Sequence, residues 1–521
     1  MVARDRGVSM NASLDRRGFL VTAAAAAVGA VAPQPASGSG PPGGALPDGL
    51  FSLGLASGDP LPDAVVLWTR LAPEPLAPDG AGGMPRRPVP VHWEVAHDES
   101  FRRVVRRGTA LAVPERAHTV HVDVRGLEPD RWYSYRFRAG RETSPVARTR
   151  TAPAPSARAG RLTFAFASCQ NFTNGFYTAY QDMISAELDL VVHLGDYIYE
   201  GPGRGEALGR PHAPEGETVT LADYRVRHAQ YKTDPDLRAA HAAAPWVVTL
   251  DDHEVKNDWS GEGHPAVPPA EFRARRAVAL RAYFEHMPLR QAQAPVHHEM
   301  LLHRRVGYGN LAQFHVLDTR QYRSALAACD EADCEAVWDP ARTMLGPEQE
   351  AWLDRGLRTS GATWNVLAQQ VPIYEDAPVG LPADKWDGYR ESRRRLLESL
   401  GAARNPVAIT GDVHFNSAAN LLADFADPGS AVVGAEFVGT SIASSSPREP
   451  APETVFDPDP ANPHLVFTNR GERGYVRCTV DAGRWRSEYR VVDTVDRPTS
   501  TARTVAAFEI EAGRPGLRRT G

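Results

Sequence analysis

Asp189-Leu-Val-Val-His-Leu-Gly-Asp-Tyr-Ile-Tyr-Glu200 is a short apolar run that stops at a Gly-Asp pair and two tyrosines. Consecutive apolar, β-favouring residues over 188–194 predict a strand buried on both faces, as in the parallel sheets of α/β proteins. Ligands gather beyond the carboxyl ends of such strands. Asp196 and Tyr199 are therefore candidate ligands, and the next question is whether other strands end in the same way.

Three others do. The predicted strand 162–167 ends at Ser168-Cys169-Gln170, strand 246–250 at Asp251-Asp252-His253-Glu254, and strand 406–410 at Gly411-Asp412-Val413-His414. A strand followed by Gly-Asp is by itself a common turn. Polar clusters at the same end of successive buried strands instead converge on one sheet edge. Helical patterns at 177–186 and 271–283 and further strands at 311–317 and 363–368 make this part of the chain β-α-β in type. We expect an α/β domain of layered mixed sheets flanked by helices over 161–500, with 501–521 as a C-terminal tail.

Upstream, residues 48–152 carry short alternating strands at 65–69, 91–95, 118–124 and 132–137, with Pro/Gly punctuation and no amphipathic helix. An all-β sandwich is expected there. The turn Gly126-Leu-Glu-Pro-Asp-Arg-Trp-Tyr-Ser-Tyr135 resembles the corner of immunoglobulin-like and fibronectin type III modules. His118 and His121 are three apart on a strand, so they face opposite ways and do not make a metal pair. A Pro/Ala-rich linker covers 153–160. At the amino terminus, Asp15-Arg-Arg-Gly-Phe-Leu20 and the small apolar run 21–32 resemble a twin-arginine export signal over residues 1–38, followed by a linker at 39–47. Cleavage is expected between about Ala32 and Gly38. No other stretch is apolar for long enough to span a bilayer. The expected route is the twin-arginine export machinery, and the expected location extracellular, periplasmic or envelope-associated.

A chain of 521 residues with net charge −6 suits two domains and presents no basic field, which argues against specific nucleic-acid binding. A monomer is expected. Cys329 and Cys334 lie in an acidic loop without a second Cys or His pair, which favours a disulfide over a metal clip. Cys478 alternates inward on a strand. Cys169 differs, because it stands at a strand end among the other polar residues.

The residue types at those ends are metal donors. Asp196, Asp252 and Asp412 offer hard oxygens and His414 an imidazole, while Cys169 and Tyr199 offer a thiolate and a phenolate that a strongly Lewis-acidic ion would favour. A bridging Asp196 could hold two ions about 3.5 to 4 Å apart, as two-metal phosphoryl transfer requires. The Ser-Cys, Gly-Asp-Tyr-Ile-Tyr-Glu, Asp-Asp-His-Glu and Gly-Asp-Val-His series, in this order behind a β segment and an export signal, resembles the PhoD-type alkaline phosphatases. These belong to the calcineurin-like metallophosphoesterases and are similar to purple acid phosphatases in their Asp and Tyr spacing. The resemblance implies Fe(III) held by Cys169, Asp196, Tyr199 and His414, with Ca(II) held by Asp196, Asp252 and Asp412. It also implies hydrolysis of small phosphomonoesters and phosphodiesters. In the wider superfamily Asn usually stands where Asp252 is and His where Asp412 is; both departures favour calcium over zinc. His253 is expected to donate to phosphate or the leaving oxygen, Asn257 to touch calcium or phosphate, and Arg276, chosen over its neighbour Arg275, to bind phosphate. Glu200 is placed behind Asp196 rather than on a metal. A phospholipase D-like diesterase on the same scaffold, acting on phospholipids or nucleotides, is the near alternative. A non-catalytic envelope binding protein is the far one, and the complete ligand set argues against it.

Overall fold

Strands Leu162–Ala167, Leu190–His193 and Trp246–Val248 pair in parallel, and Leu55–Gly58 adds to the last of them, also in parallel. In this computed structural model, which describes residues 45–203, 205–261, 263–327, 329, 334–376, 384–445, 453–456 and 460–521, these four form the centre of a ten-stranded sheet. The expected export signal and residues 39–44 of its linker lie outside the described residues. On one side the sheet continues through Arg473–Val480, Arg484–Val492, Ala502–Glu511 and Arg514–Arg519, and on the other through Ala64–Arg70 and Thr119–Arg125. A second sheet of eight strands has its own parallel centre in Ala312–Val316, Trp364–Ala368, Pro406–Thr410 and Val432–Val438.

The two sheets stack face to face. Phe164, Phe166, Val192 and Val247 from the first share one core with Phe314, Val366, Ile409 and Phe437 from the second. Each such side chain contributes roughly 1.5–3 kcal/mol when fully buried. Helices cover the outer faces: Leu221–Lys232, Pro235–Ala243 and Pro269–His286 against the first sheet, Gly346–Thr359 and Arg390–Gly401 against the second. Strands Leu162–Ala167 and Pro406–Thr410 are buried at every position because each is covered on both faces, which is why they read as unbroken apolar runs. Leu221–Lys232 begins at a reciprocal capping pair, Thr220 and Asp223. Among the described residues no helix is long and apolar enough to cross a membrane.

Three sequence expectations need correction. Residues 48–152 do not pack as a body of their own: Leu55–Gly58 and Ala64–Arg70 belong to the first sheet, and a five-stranded sheet built around Val89–Ala96 and Trp132–Ala139 packs its Val91, Val95, Tyr135 and Phe137 against their Leu55, Val65 and Leu67. Leu46–Gly521 is accordingly one compact unit. The segment 153–160 has a linker's composition but is fastened, since the Ala157 carbonyl accepts from Asn310 N at 3.0 Å. Residues 501–521 are not a tail but carry two strands that bury Ala506, Phe508 and Ile510 in the inter-sheet core. Their apolar alternation follows a run of Asp, Arg, Pro, Ser and Thr that reads as a chain ending. Cys329 and Cys334 are joined by a disulfide, and Cys169 and Cys478 are free and buried.

Candidate metal centre

The parallel strands of both sheets end on one side, and their first turns bring the predicted donors together. Cys169 N donates to the Gly195 carbonyl and Gln170 N to the Asp196 carbonyl, each at 3.1 Å, which ties the first strand end to the second. Gly195 has φ +109°, and a Cβ there would stand 2.4 Å from Asp251 Cβ; one at Gly411 would stand 2.4 Å from Ser168 Oγ. Only glycine allows the strand ends to approach so closely.

Cys169, Asp196 and His414 present one donor atom each within 4.8 Å of one another. Tyr199 Oη lies 2.9 Å from Asp196 Oδ2 and 3.0 Å from His414 Nε2. His414 Nδ1 lies 2.8 Å from the Ser445 carbonyl. That contact makes Nδ1 the protonated nitrogen and aims the Nε2 lone pair at the cluster. Ser444 Oγ lies 2.7 Å from the Cys169 carbonyl and 2.8 Å from Tyr199 Oη, locking the two donors together. Burial, reinforced by Asp196, pushes the Cys169 thiol and the Tyr199 phenol well up, and burial does the same to the Asp196 carboxyl. Thiolate, phenolate, carboxylate and imidazole so deeply buried need a strong local cation to carry their charges.

The second half of the cluster is made of carboxylates. Asp252 and Asp412 group with Asp251, and Asp252 also with Asp258 and Asp384. Burial drives Asp412 up to about 7, against the pull of Arg320. Asp252 goes the other way: burial would raise it, but Arg320 and His253 hold it below the ordinary carboxylate range. An all-oxygen set of this kind suits a hard divalent ion, and the mixed set beside it suits a more acidic one. Asp196 borders both, since it also groups with Asp252 and His253.

His253 sits against Asp196, its backbone N 3.3 Å from Asp196 Oδ1 and its Nδ1 2.6 Å from Glu200 Oε2. Burial alone would lower the imidazole, yet the Glu200, Asp196 and Asp252 charges hold it well above its ordinary value. Glu200 in turn is held at about 2, with His253 outweighing its burial. Asn257 stands exposed at the rim with its backbone N–H on Glu200 Oε1 at 2.8 Å. Arg276, expected to bind phosphate, donates by Nη1 to the Gly261 carbonyl and by Nη2 to Gln321 Oε1, each at 3.0 Å, and its Cζ lies 5.1 Å from the centre of the Trp259 ring. It braces the 259–261 turn next to the cluster.

With this geometry in view, comparison with known proteins is decisive. A family model described as PhoD-like phosphatase matches residues 164–489, and one described as the N-terminal domain of the same phosphatases matches 41–153. Alkaline phosphatase D of Bacillus subtilis (strain 168) is 48% identical over 490 residues, covering 90% of this chain and 82% of that protein. The chain belongs to the PhoD-like phosphatase family. A solved structure of PhoD superposes with a TM-score of 0.85 at 47% identity, covering 92% of this chain and 94% of that one. A purple acid phosphatase from yellow lupin seeds shares the fold at 14% identity and a TM-score of 0.52, over 88% of this chain and 73% of that one.

Within this PhoD-like site, sequence reasoning missed several residues. Arg320 enters the carboxylate cluster from the turn after Ala312–Val316, itself a strand end of the kind that carries the other donors. Glu254 accepts the backbone N–H groups of Asp196, Tyr197 and Asp251 at 3.1, 2.6 and 2.8 Å, clamping two strand ends with one carboxylate. Asp258, whose N donates to Asp252 Oδ2 at 2.7 Å, had a signal in its place beside Asn257. Asp384 and Ser444 carry no local signal, because only the tertiary fold brings them near.

Proposed function

We propose that this PhoD-like phosphatase hydrolyses small phosphomonoesters and phosphodiesters at an Fe(III) held by Cys169, Asp196, Tyr199 and His414 and a Ca(II) held by Asp196, Asp252 and Asp412, with Asn257 at its rim. The observation that carries the reading is the meeting of a thiol, a phenol, a carboxylate and an imidazole at one buried point. When bound, such ions neutralise a phosphate and make an attacking nucleophile of water at moderate pH. The chain's own residues do the rest. Glu200 holds His253 by Nδ1, so that Nε2–H is left to protonate the leaving oxygen. Ser444 and Ser445 orient Tyr199 and His414. Glu254 fixes the backbone on either side of Asp196 and Asp251.

The test is hydrolysis by purified protein of p-nitrophenyl phosphate, its bis ester, phospholipids and nucleotides, with metal content measured in the same preparation. Turnover of the simple esters with iron and calcium present is the expected result. Inertness toward all of them, or activity of a colourless protein containing only zinc, would refute this assignment.

We further read residues 1–38 as a twin-arginine export signal and the mature protein as a monomer outside the cytoplasm. Replacing Arg16 and Arg17 with lysine should leave precursor in the cytoplasm, and unchanged export would show the reading wrong. The segment 48–152 we read as sandwich-like, one of its two leaves being the edge of the catalytic sheet.

A further inference from the structure

Arg320 lies at the middle of the carboxylate half of the site, and we propose that it is a positioning residue whose guanidinium holds Asp412, beside Asp252, in the orientation a divalent cation requires. This inference rests on the metal reading above. The Arg320 side chain has no exposed surface, and its three nitrogens reach three different acids. Nε lies 2.5 Å from Asp251 Oδ1, Nη1 2.6 Å from Asp384 Oδ2 and Nη2 3.2 Å from Asp412 Oδ1, with Asp252 Oδ2 3.7 Å from Nη1.

The arm is also fixed at its base. Arg320 N donates to Asp318 Oδ1 at 3.0 Å, Gly261 N donates to the Arg320 carbonyl at 2.9 Å, and neighbouring Thr319 Oγ1 donates to Gln370 Oε1 at 2.7 Å. Arg323 Nη2 grips Asp384 from another side at 2.5 Å. Asp251, the partner of Nε, has its own backbone N–H on Glu254. The guanidinium thus spans a rigid frame.

Two effects of Arg320 on a nearby divalent ion have opposite signs. Its charge repels the ion, and its fork orients the ion's ligands. The distances decide between them. Its two shortest contacts go to Asp251 and Asp384, which are not among the proposed ligands. Asp412 and Asp252, which are, stand at 3.2 and 3.7 Å. The charge is largely met by acids outside the ligand set; Asp412 receives a hydrogen bond and with it a fixed direction, while Asp252 is oriented by Asp258 N at 2.7 Å and meets Arg320 only as an ion pair. A lysine, with a single ammonium point, cannot reach three carboxylates in this way.

The experiment is calcium titration calorimetry on purified, iron-loaded wild type, R320K and R320Q, with iron content, visible spectrum and melting temperature recorded alongside. Both variants are expected to keep the iron spectrum and to bind calcium at least about 10-fold more weakly, the range found for residues that orient metal ligands. Unchanged or tighter calcium binding by folded R320Q would overturn the proposal, because that is the sign for mere repulsion. Loss of iron together with calcium would overturn it too, since it would mark a general collapse. If neither variant folds, D251N removes one hold on the guanidinium but keeps the arginine; it should weaken calcium several-fold with iron retained, and wild-type affinity there would count against the idea. A wild type that binds no divalent ion would overturn the metal reading itself and this inference with it.

Discussion

Cys169, Asp196, Asp412 and His414 all have left-handed backbone, with φ of 59°, 55°, 68° and 58°. A non-glycine residue in this region costs of order 1–3 kcal/mol, and such strain collects where a site demands it. Here it has a geometric purpose. A strand sends successive side chains to opposite faces, so donors that simply continued their strands would scatter; a left-handed step at three of the four strand ends turns them to one point. Gly195 permits the tightest of these turns. Gly195→Ala should cost about 2 kcal/mol or more, because it combines strain at φ +109° with a contact of 2.4 Å. A thermal melt together with iron content checks this, and an unshifted melt with full iron would show the close approach to be dispensable. Tyr199→Phe tests the donor set more directly. The variant should remain folded, lose the visible phenolate-to-iron band and lose activity; a retained band would remove Tyr199 from the iron.

The elements that carry these residues were legible wherever burial imposes a pattern. Strand 406–410 reads correctly because both faces are covered, and the helix read at 271–283 proves to be Pro269–His286. Donors at strand ends were legible for the same reason, since the end of an apolar run is visible in the chain. Asp384 and Ser444 were not, because nothing local distinguishes a surface aspartate or serine from one delivered into the site by a distant loop, whereas Arg320 follows the strand Ala312–Val316 and falls under the strand-end rule. The Tyr197 hydroxyl lies 2.8 Å from His241 Nε2 and 3.0 Å from Lys232 Nζ. Lys232, at the end of helix Leu221–Lys232, is fully buried, with its ammonium 4.4 Å from the Trp68 ring centre. Among the described residues no carboxylate pairs with it, and burial pulls it down to about 7. Its folded pKa is thus below its unfolded value of about 10.5, so between these limits the unfolded chain binds more protons. Stability contributed through Lys232 should therefore rise as pH increases from 7 toward 10.5, by at most about 1.4 kcal/mol per unit. Urea midpoints against pH for wild type and Lys232→Met check it: the rise should flatten in the variant, and parallel curves would show that Lys232 is not its source.

At the scale of the whole molecule the catalytic sheet depends on both ends of the chain. Leu55–Gly58 and Ala64–Arg70 extend it on one side, and the N-terminal part is stitched to the helix layer by Trp68 Nε1 donating to the Glu285 carbonyl at 2.9 Å and to the edge strand Arg304–Tyr308 of the second sheet by Arg304 pairing with Asp59 at 2.7 Å. On the other side, strands Ala502–Glu511 and Arg514–Arg519 close it. Ending the chain at residue 500 would leave Arg484–Val492 as a long edge strand and strip Ala506, Phe508 and Ile510 from the core between the sheets. Large-to-small changes at such positions cost about 3–5 kcal/mol for Phe and about 2–5 for Ile. Together these are comparable with the roughly 5–15 kcal/mol of a typical protein's total stability. A bare edge strand is in addition a template for aggregation. The shortened chain should therefore be insoluble or melt well below the full-length protein, although every proposed ligand lies before residue 500. Soluble yield and melting temperature measure the effect, and the graded variant Phe508→Ala, which removes core but keeps the edge covered, separates the two causes. A smaller loss of stability without aggregation is expected for it. A shortened chain that melts like the full-length protein would mean that the last two strands only decorate a sheet already complete.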